Sequence, residues 1–206
     1  MLGRLFKRRK KDPLWDHFIH SQPSDPKNDL TAAIAGAPPG RTYPIKTVDS
    51  DPATTSKSIM ELARWLGADV VGIVSQEFAA GQAPGASEDQ AAVDEESEPP
   101  ESSGQNFTAG LVCGFFTDYD LGEAKGLGGQ QAVQKGAVVN HYMASYIHEL
   151  GYRAAIGGVD PMLIAEAAGL GRTDAEGRFV TRKKGRMLHV AEAVLTDLPL
   201  AADATP

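Results

Sequence analysis

Several stretches of this chain carry residues whose types and spacing could do chemistry. Asp118-Tyr119-Asp120 follows an apolar run, at a strand end where loops commonly hold functional side chains. Just beyond it, residues 122–136 are rich in Gly and Gln and include Gly126-Leu127-Gly128-Gly129. Such a loop could bring backbone amides up to a ligand phosphate or amide, or it could be a flexible connection. It is not a nucleotide P-loop, because no Gly-Lys-Ser/Thr follows. A second glycine pair, Gly169-Leu170-Gly171, closes a helical pattern and reads as a C-cap or as a ligand turn, and the basic Arg182-Lys183-Lys184-Gly185-Arg186 reads as a hairpin tip. His141 and His148 lie seven apart on one helix, but two ring nitrogens do not specify a metal, and solvated helix-face histidines are the better reading. No metal site is expected. Cys113 sits within an apolar run and reads as a small core hydrophobe.

The elements that position these residues follow from pattern. Val139, Tyr142, Met143, Tyr146, Ile147 and Leu150 recur at three- and four-residue intervals, which predicts an amphipathic helix over 137–150 with Asn140, His141, His148 and Glu149 opposite. Gly151 stops it, and 152–156 has the length of a short strand. Asp160-Pro161 starts a further helix that Gly169 ends, and 190–200 reads as one buried strand running into a Pro stop. Upstream, Ile59, Leu62, Ala63 and Leu66 share a helix face, with Ser58 and Glu61 as a capping box. Strands are expected at 70–74 and 109–116. Residues 81–106 gather Glu, Asp, Ser, Pro and Gly with few large apolar side chains, the composition of a disordered acidic insertion.

Three runs in one order carry a resemblance: Glu149-Leu150-Gly151-Tyr152-Arg153-Ala154, Ala168-Gly169-Leu170-Gly171, and Ala193-Val194-Leu195-Thr196-Asp197-Leu198-Pro199-Leu200. With Ala63-Arg64-Trp65-Leu66-Gly67-Ala68-Asp69-Val70-Val71-Gly72-Ile73 and Asp118-Tyr119-Asp120, they resemble the corrinoid-binding catalytic domain of reductive dehalogenases and epoxyqueuosine reductases, over roughly residues 55–200. The resemblance implies an α+β, nitroreductase-like fold, a mixed sheet flanked by helices, holding cobalamin whose cobalt performs a reduction. It implies cofactor contacts from Asp118, Gly128, Gly129, Gly169, Leu170, Gly171, Gly177 and Thr196, and a phenol as proton donor, for which Tyr119 and Tyr142 are the candidates. The family's tyrosine before the long helix has no match in Gln130-Gln131-Ala132-Val133-Gln134, and beyond Gly171 the pattern departs at Asp174 and Glu176 before Gly177. Cluster cysteines expected after 196–200 have no counterpart up to Pro206. The function this implies is a stand-alone corrinoid-binding domain acting in cobalamin handling, or a reductase subunit fed by a separate iron-sulfur or flavin protein. The alternatives are a flavin-dependent nitroreductase-like oxidoreductase and a non-catalytic interaction subunit.

Bulk properties set limits. A chain of 206 residues with 42% hydrophobic content can bury one sizeable core, so 53–200 is expected to be one domain, preceded by a basic leader and extended arm over 1–52 and followed by a tail at 201–206. A formal charge of -7 argues against nucleic acid as a partner. The single cysteine excludes a four-cysteine zinc or iron-sulfur site within this chain. Without a long apolar run or a secretory segment, the expected location is cytoplasmic. Residues 1–19 alternate basic and apolar side chains, which suits either weak contact with an anionic membrane surface or a leader docked by Trp15 and Phe18. In the arm, Tyr43 and Ile45 are the expected anchors.

Overall fold

The computed structural model describes residues 12–37, 40–48, 51–75, 107–181 and 186–202. The expected insertion at 81–106, the leader before residue 12 and most of the basic turn at 182–186 lie outside these residues. Among the described residues the elements are α1 (Pro13–His20), a 3-10 turn (Pro26–Asn28), α2 (Leu30–Ala35), α3 (Pro52–Trp65), β1 (Val70–Ser75), β2 (Ala109–Phe116), α4 (Gln131–Glu149), β3 (Ala154–Ile156), α5 (Pro161–Ala167), β4 (Gly171–Thr173), β5 (Phe179–Thr181), β6 (Leu188–Val190) and β7 (Val194–Thr196).

β2 organises the sheet. Its residues are apolar or glycine and nearly all buried, because both of its faces are covered. Leu111, Cys113 and Phe115 join a core with Ile59 and Ala63 of α3 and Val139, Met143 and Ile147 of α4. Val112, one step out of phase, belongs to a second core with Ile164 and Ala165 of α5 and Phe179 of β5. The architecture is thus helices α3 and α4 on one face of the sheet, and α5 with the β4–β5 hairpin on the other. β1 pairs with one edge of β2, while β6 and β7 share its other edge, and β3 adds to β7. Every ladder among the described residues is antiparallel, where the resemblance implied a mixed sheet.

The single strand expected at 190–200 is two strands. Gly114 pairs with Val190 and Leu111 with Val194, so Val112 and Cys113 face three residues, Ala191, Glu192 and Ala193. One extra residue on one strand is a β-bulge, which twists the chain and frees a peptide group from the ladder. The bulge remains anchored, since Ala191 N–H donates to Cys113 O (2.9 Å) and Gly157 N–H to Ala193 O (2.8 Å).

Other expectations shift for local reasons. α3 starts at Asp51-Pro52, not at a Ser58–Glu61 box, because the Asp51 carboxylate accepts from Ala53 N–H and Thr54 N–H (3.0 and 3.1 Å) and Pro52 occupies the first helical position. α4 begins at Gln131, so Gly136 belongs to the helix and not to the loop. Its buried side is Ala132, Gly136, Val139, Asn140, Met143, Ala144 and Ile147, which takes Asn140 inside and leaves Tyr142 and Tyr146 exposed. The arm contains α2, capped by Asp29, and its extended part docks through main chain: Tyr43 N–H donates to His148 O (2.9 Å) and Thr47 N–H to Leu150 O (3.1 Å). Tyr43 and Ile45 side chains point to solvent and are not the anchors. By contrast β2, α5 with its Asp160 cap and Pro161, and the stop at Gly169 (φ 71°) stand where the pattern puts them. Among the described residues no helix is long and apolar enough to cross a membrane.

Candidate functional site

A cleft of ≈ 690 Å³ is bounded by α2, the middle of α4, β3 and the bulge. Its walls are mostly small and apolar: Ile34 and Ala35 from α2, Val133, Ala137 and Ala144 from α4, Ala155 and Ile156 from β3. Small side chains on α4 let the helix approach the sheet closely. A Cβ on Gly136 would sit 2.9 Å from Ala191 Cβ and 3.3 Å from His189 Nε2. At the outlet of β3, Gly157 and Gly158 both have positive φ (85° and 80°), a backbone form that favours glycine.

Asn140 connects helix and bulge. It is 3% exposed, and its Nδ2 donates to the Glu192 carbonyl at 2.6 Å, the peptide oxygen that the bulge turns out of the ladder. Because that partner can only accept, the bond fixes which end of the amide is nitrogen. Oδ1 is then left buried without a hydrogen-bond partner among the described residues. Beside it His189 is held neutral, since burial pulls its pKa from 6.5 down to about 4. His148 spans the cleft wall, with Thr42 Oγ1 at 3.0 Å from Nδ1 and Ala154 O at 3.1 Å from Nε2. The carbonyl can only accept, so Nε2 donates to it, and with Thr42 on the other ring nitrogen this histidine is a strut between arm, helix and sheet. Thr31, His141, Ser145 and Glu192 complete the polar lining, and no Lys or Arg is among the described lining residues. Among the described residues no cluster of His, Cys, Asp or Glu could hold a metal ion.

The residues expected to contact a cofactor lie elsewhere. Gly126 and Gly128 N–H groups donate to Ile19 O (2.8 Å) and Phe18 O (3.0 Å), and the space beside Gly128 and Gly129 is taken by the Phe18 ring, Ile19 and Ala124. The glycine loop therefore receives the end of α1, with Ile19 as its buried anchor. Gly171 opens β4, opposite Thr181, where a Cβ would meet the Val180 carbonyl and the Phe179 ring. Gly169 and Gly177 take positive φ in turns, and Leu170 packs beside the second core. Thr196 is fully buried, its hydroxyl donating to Arg153 O (2.8 Å) and accepting from Leu198 N–H (2.9 Å). Asp118 is exposed, and Tyr119 is half-buried in a turn closed on Thr117. Tyr142, 57% exposed, lines a second, apolar groove with Trp65 and Tyr146. None of these ten residues lines the larger cleft. Cys113 behaves as a core group: it is buried in the sheet and burial pushes its thiol up to about 12.

Sequence reasoning missed the cleft's polar floor, since Asn140 falls on the side of the helix opposite the large apolar residues. The available signal was Asn140 flanked by Gly136, Ala137 and Ala144, small residues on one helix face that announce close packing.

No family model matches the chain, and no curated sequence matches it either. Solved structures do. Over 90% of its length the chain matches 27% of an N-terminally tagged variant of the catabolic reductive dehalogenase NpRdhA, with 20% identity and a TM-score of 0.63. It matches 24% of a reductive dehalogenase whose structure suggests a mechanism for B12-dependent dehalogenation, over 85% of its own length, with 22% identity and a TM-score of 0.57. An epoxyqueuosine reductase aligns more loosely, over 74% of this chain and 48% of its own, with 13% identity and a TM-score of 0.47. This chain therefore spans about a quarter of the dehalogenases it matches, and at these identities the likeness is one of fold.

Proposed function

We propose that the chain is a corrinoid-binding domain of reductive dehalogenase type, acting in cobalamin handling or as a reductase subunit that receives electrons from a separate iron-sulfur or flavin protein. The observation that carries this reading is the chemistry of the cleft, set in a fold shared with a B12-dependent dehalogenase. A corrinoid presents a broad apolar ring fringed with neutral carboxamides. The residues present suit such a group: small apolar walls, a buried amide oxygen in want of a donor, a neutral histidine and glycine backbone at the rim. They suit a flavin mononucleotide less, because its phosphate would find no lysine or arginine among the described lining residues.

When bound, the cobalt supplies the electrons for reduction. The chain's own residues bind and orient: Asn140 Oδ1 accepts, Ile34, Val133 and Ala144 exclude water, and His189 adds no charge near pH 7. Neither Tyr119 nor Tyr142 lines this cleft and His189 is unprotonated near pH 7, so a proton for substrate would come from His141 or a partner. Titrating the full chain with cobalamin, followed by absorbance, tests the proposal. A saturable change in the corrinoid bands at micromolar ligand is expected, with no comparable change for flavin mononucleotide. The absence of any change at high micromolar cobalamin would overturn it, and flavin binding in its place would favour the nitroreductase-like alternative.

A further inference from the structure

A buried polar atom without a partner costs stability, about 1–3 kcal/mol in typical cases. Asn140 Oδ1 is such an atom, in the middle of a 19-residue helix where Asn is also a poor helix former. Half of the side chain has a structural reason to be there, since Nδ2 satisfies the carbonyl that the bulge expels from the sheet. What the fold leaves unexplained is the oxygen, on a residue that lines the cleft.

We infer that Asn140 is the residue by which the cleft selects its ligand: Oδ1 accepts an N–H from a peripheral carboxamide, so that fully amidated corrinoids are bound in preference to those with ester or free-acid fringes. This rests on the corrinoid reading above and adds to it the ligand group that is recognised. The surroundings point the same way. An ester has no proton to offer the oxygen. A free carboxylate has none either, and it would enter a cleft whose described lining contains the Glu192 carboxylate and no Lys or Arg.

The test is a cycle in ligand and residue. Native protein and Asn140→Leu are each titrated with cobinamide, whose fringe is carboxamide, and with the heptamethyl ester of cobyrinic acid, which keeps ring and cobalt but has no N–H on that fringe. The preference for amide over ester is expected to fall roughly tenfold in Asn140→Leu, the worth of one buried hydrogen bond. Asn140→Asp, protonated at so enclosed a position, keeps both a donor for the Glu192 carbonyl and a free acceptor, and is expected to restore the preference. Should Asn140→Leu fail to fold, the native protein still decides. Its Asn140 side-chain amide NMR signals are expected to move with cobinamide and to stay in place with the ester. An unchanged preference in Asn140→Leu, or equal shifts with both ligands, would overturn the inference and leave corrinoid binding intact. Binding of neither corrinoid would remove the proposed function itself.

Discussion

Two stretches of irregular backbone press against α4, and they differ in what fills the space they open. At the N-terminal end of the helix, residues 124–129 are glycine-rich, and the main chain of Phe18 and Ile19 lies in the groove they form. Beside its middle, the bulge at 191–193 also packs close, against Gly136, yet the Asn140 side chain that meets it keeps an amide oxygen with no partner among the described residues, beside an open cleft. Missing side chains report only that something comes near. The polar bookkeeping tells whether that something is the protein itself, because a groove made for the chain's own backbone has its N–H groups answered within the chain, as Gly126 and Gly128 do.

The comparison breaks most sharply at Gly129. A Cβ there would meet the carbonyl oxygens of Ala124 and Ile19, both backbone, which cannot rotate away as a side-chain tip can. Gly129→Val is expected to cost about 3 kcal/mol or more, seen as a large fall in melting temperature, while cobalamin affinity of the folded fraction stays unchanged. A small fall in melting temperature with a large loss of affinity would show that the loop, and not the cleft, is the ligand surface. Ile19→Ala probes the same groove more gently. Ile19 is 2% exposed and is the sole buried side chain of α1, so its truncation is expected to cost the docking of that helix about 2–3 kcal/mol. Hydrogen exchange at the Gly126 and Gly128 amides should then speed up by tenfold or more, with the β2 amides unaffected. Uniform acceleration through β2 would mean that the leader is part of the global core.

These contrasts show what could be read from the chain alone. Asp160-Pro161 and Gly169 fix the limits of α5 through local stereochemistry, and the continuous apolar run at 109–116 marks a strand buried on both faces. The same cap signal stood at Asp51-Pro52 and was hidden by Thr54, Thr55 and Ser56, residues that rarely advertise a helix. The break in 190–200 leaves no trace in composition, because a bulge exists only relative to a partner strand, and Ala191 and Ala193 suit an unbroken strand equally well. Asn140 became a site residue by the same route. Its periodicity places it away from the large apolar side chains, and only the bulge and the docked arm enclose it.

The smallest expected effect lies on the cleft side and is read in pH. His189 is neutral in the folded chain with a pKa near 4, against 6.5 when unfolded. Above pH 6.5 neither state holds the proton and His189 contributes no pH dependence. As pH falls from 6.5 towards 4 the unfolded chain takes the proton first, so folding stability is lost across that window and the loss levels off below it. The full shift would amount to about 2 kcal/mol at pH 5, and the solvent that an open cleft admits reduces the expected loss to about 1 kcal/mol. His141, His148 and Glu192 also line the cleft, so the measurement is a difference: urea unfolding of native protein and His189→Gln at pH 7 and pH 5. The native protein should lose about 1 kcal/mol more than the variant between the two. Equal losses would assign the dependence to the other groups. A ligand seated in the cleft would exclude water from the ring and steepen the native slope, whereas one bound at the glycine loop would leave it alone, so the same pair of curves, repeated with cobalamin, tells which of the two irregular stretches the ligand meets.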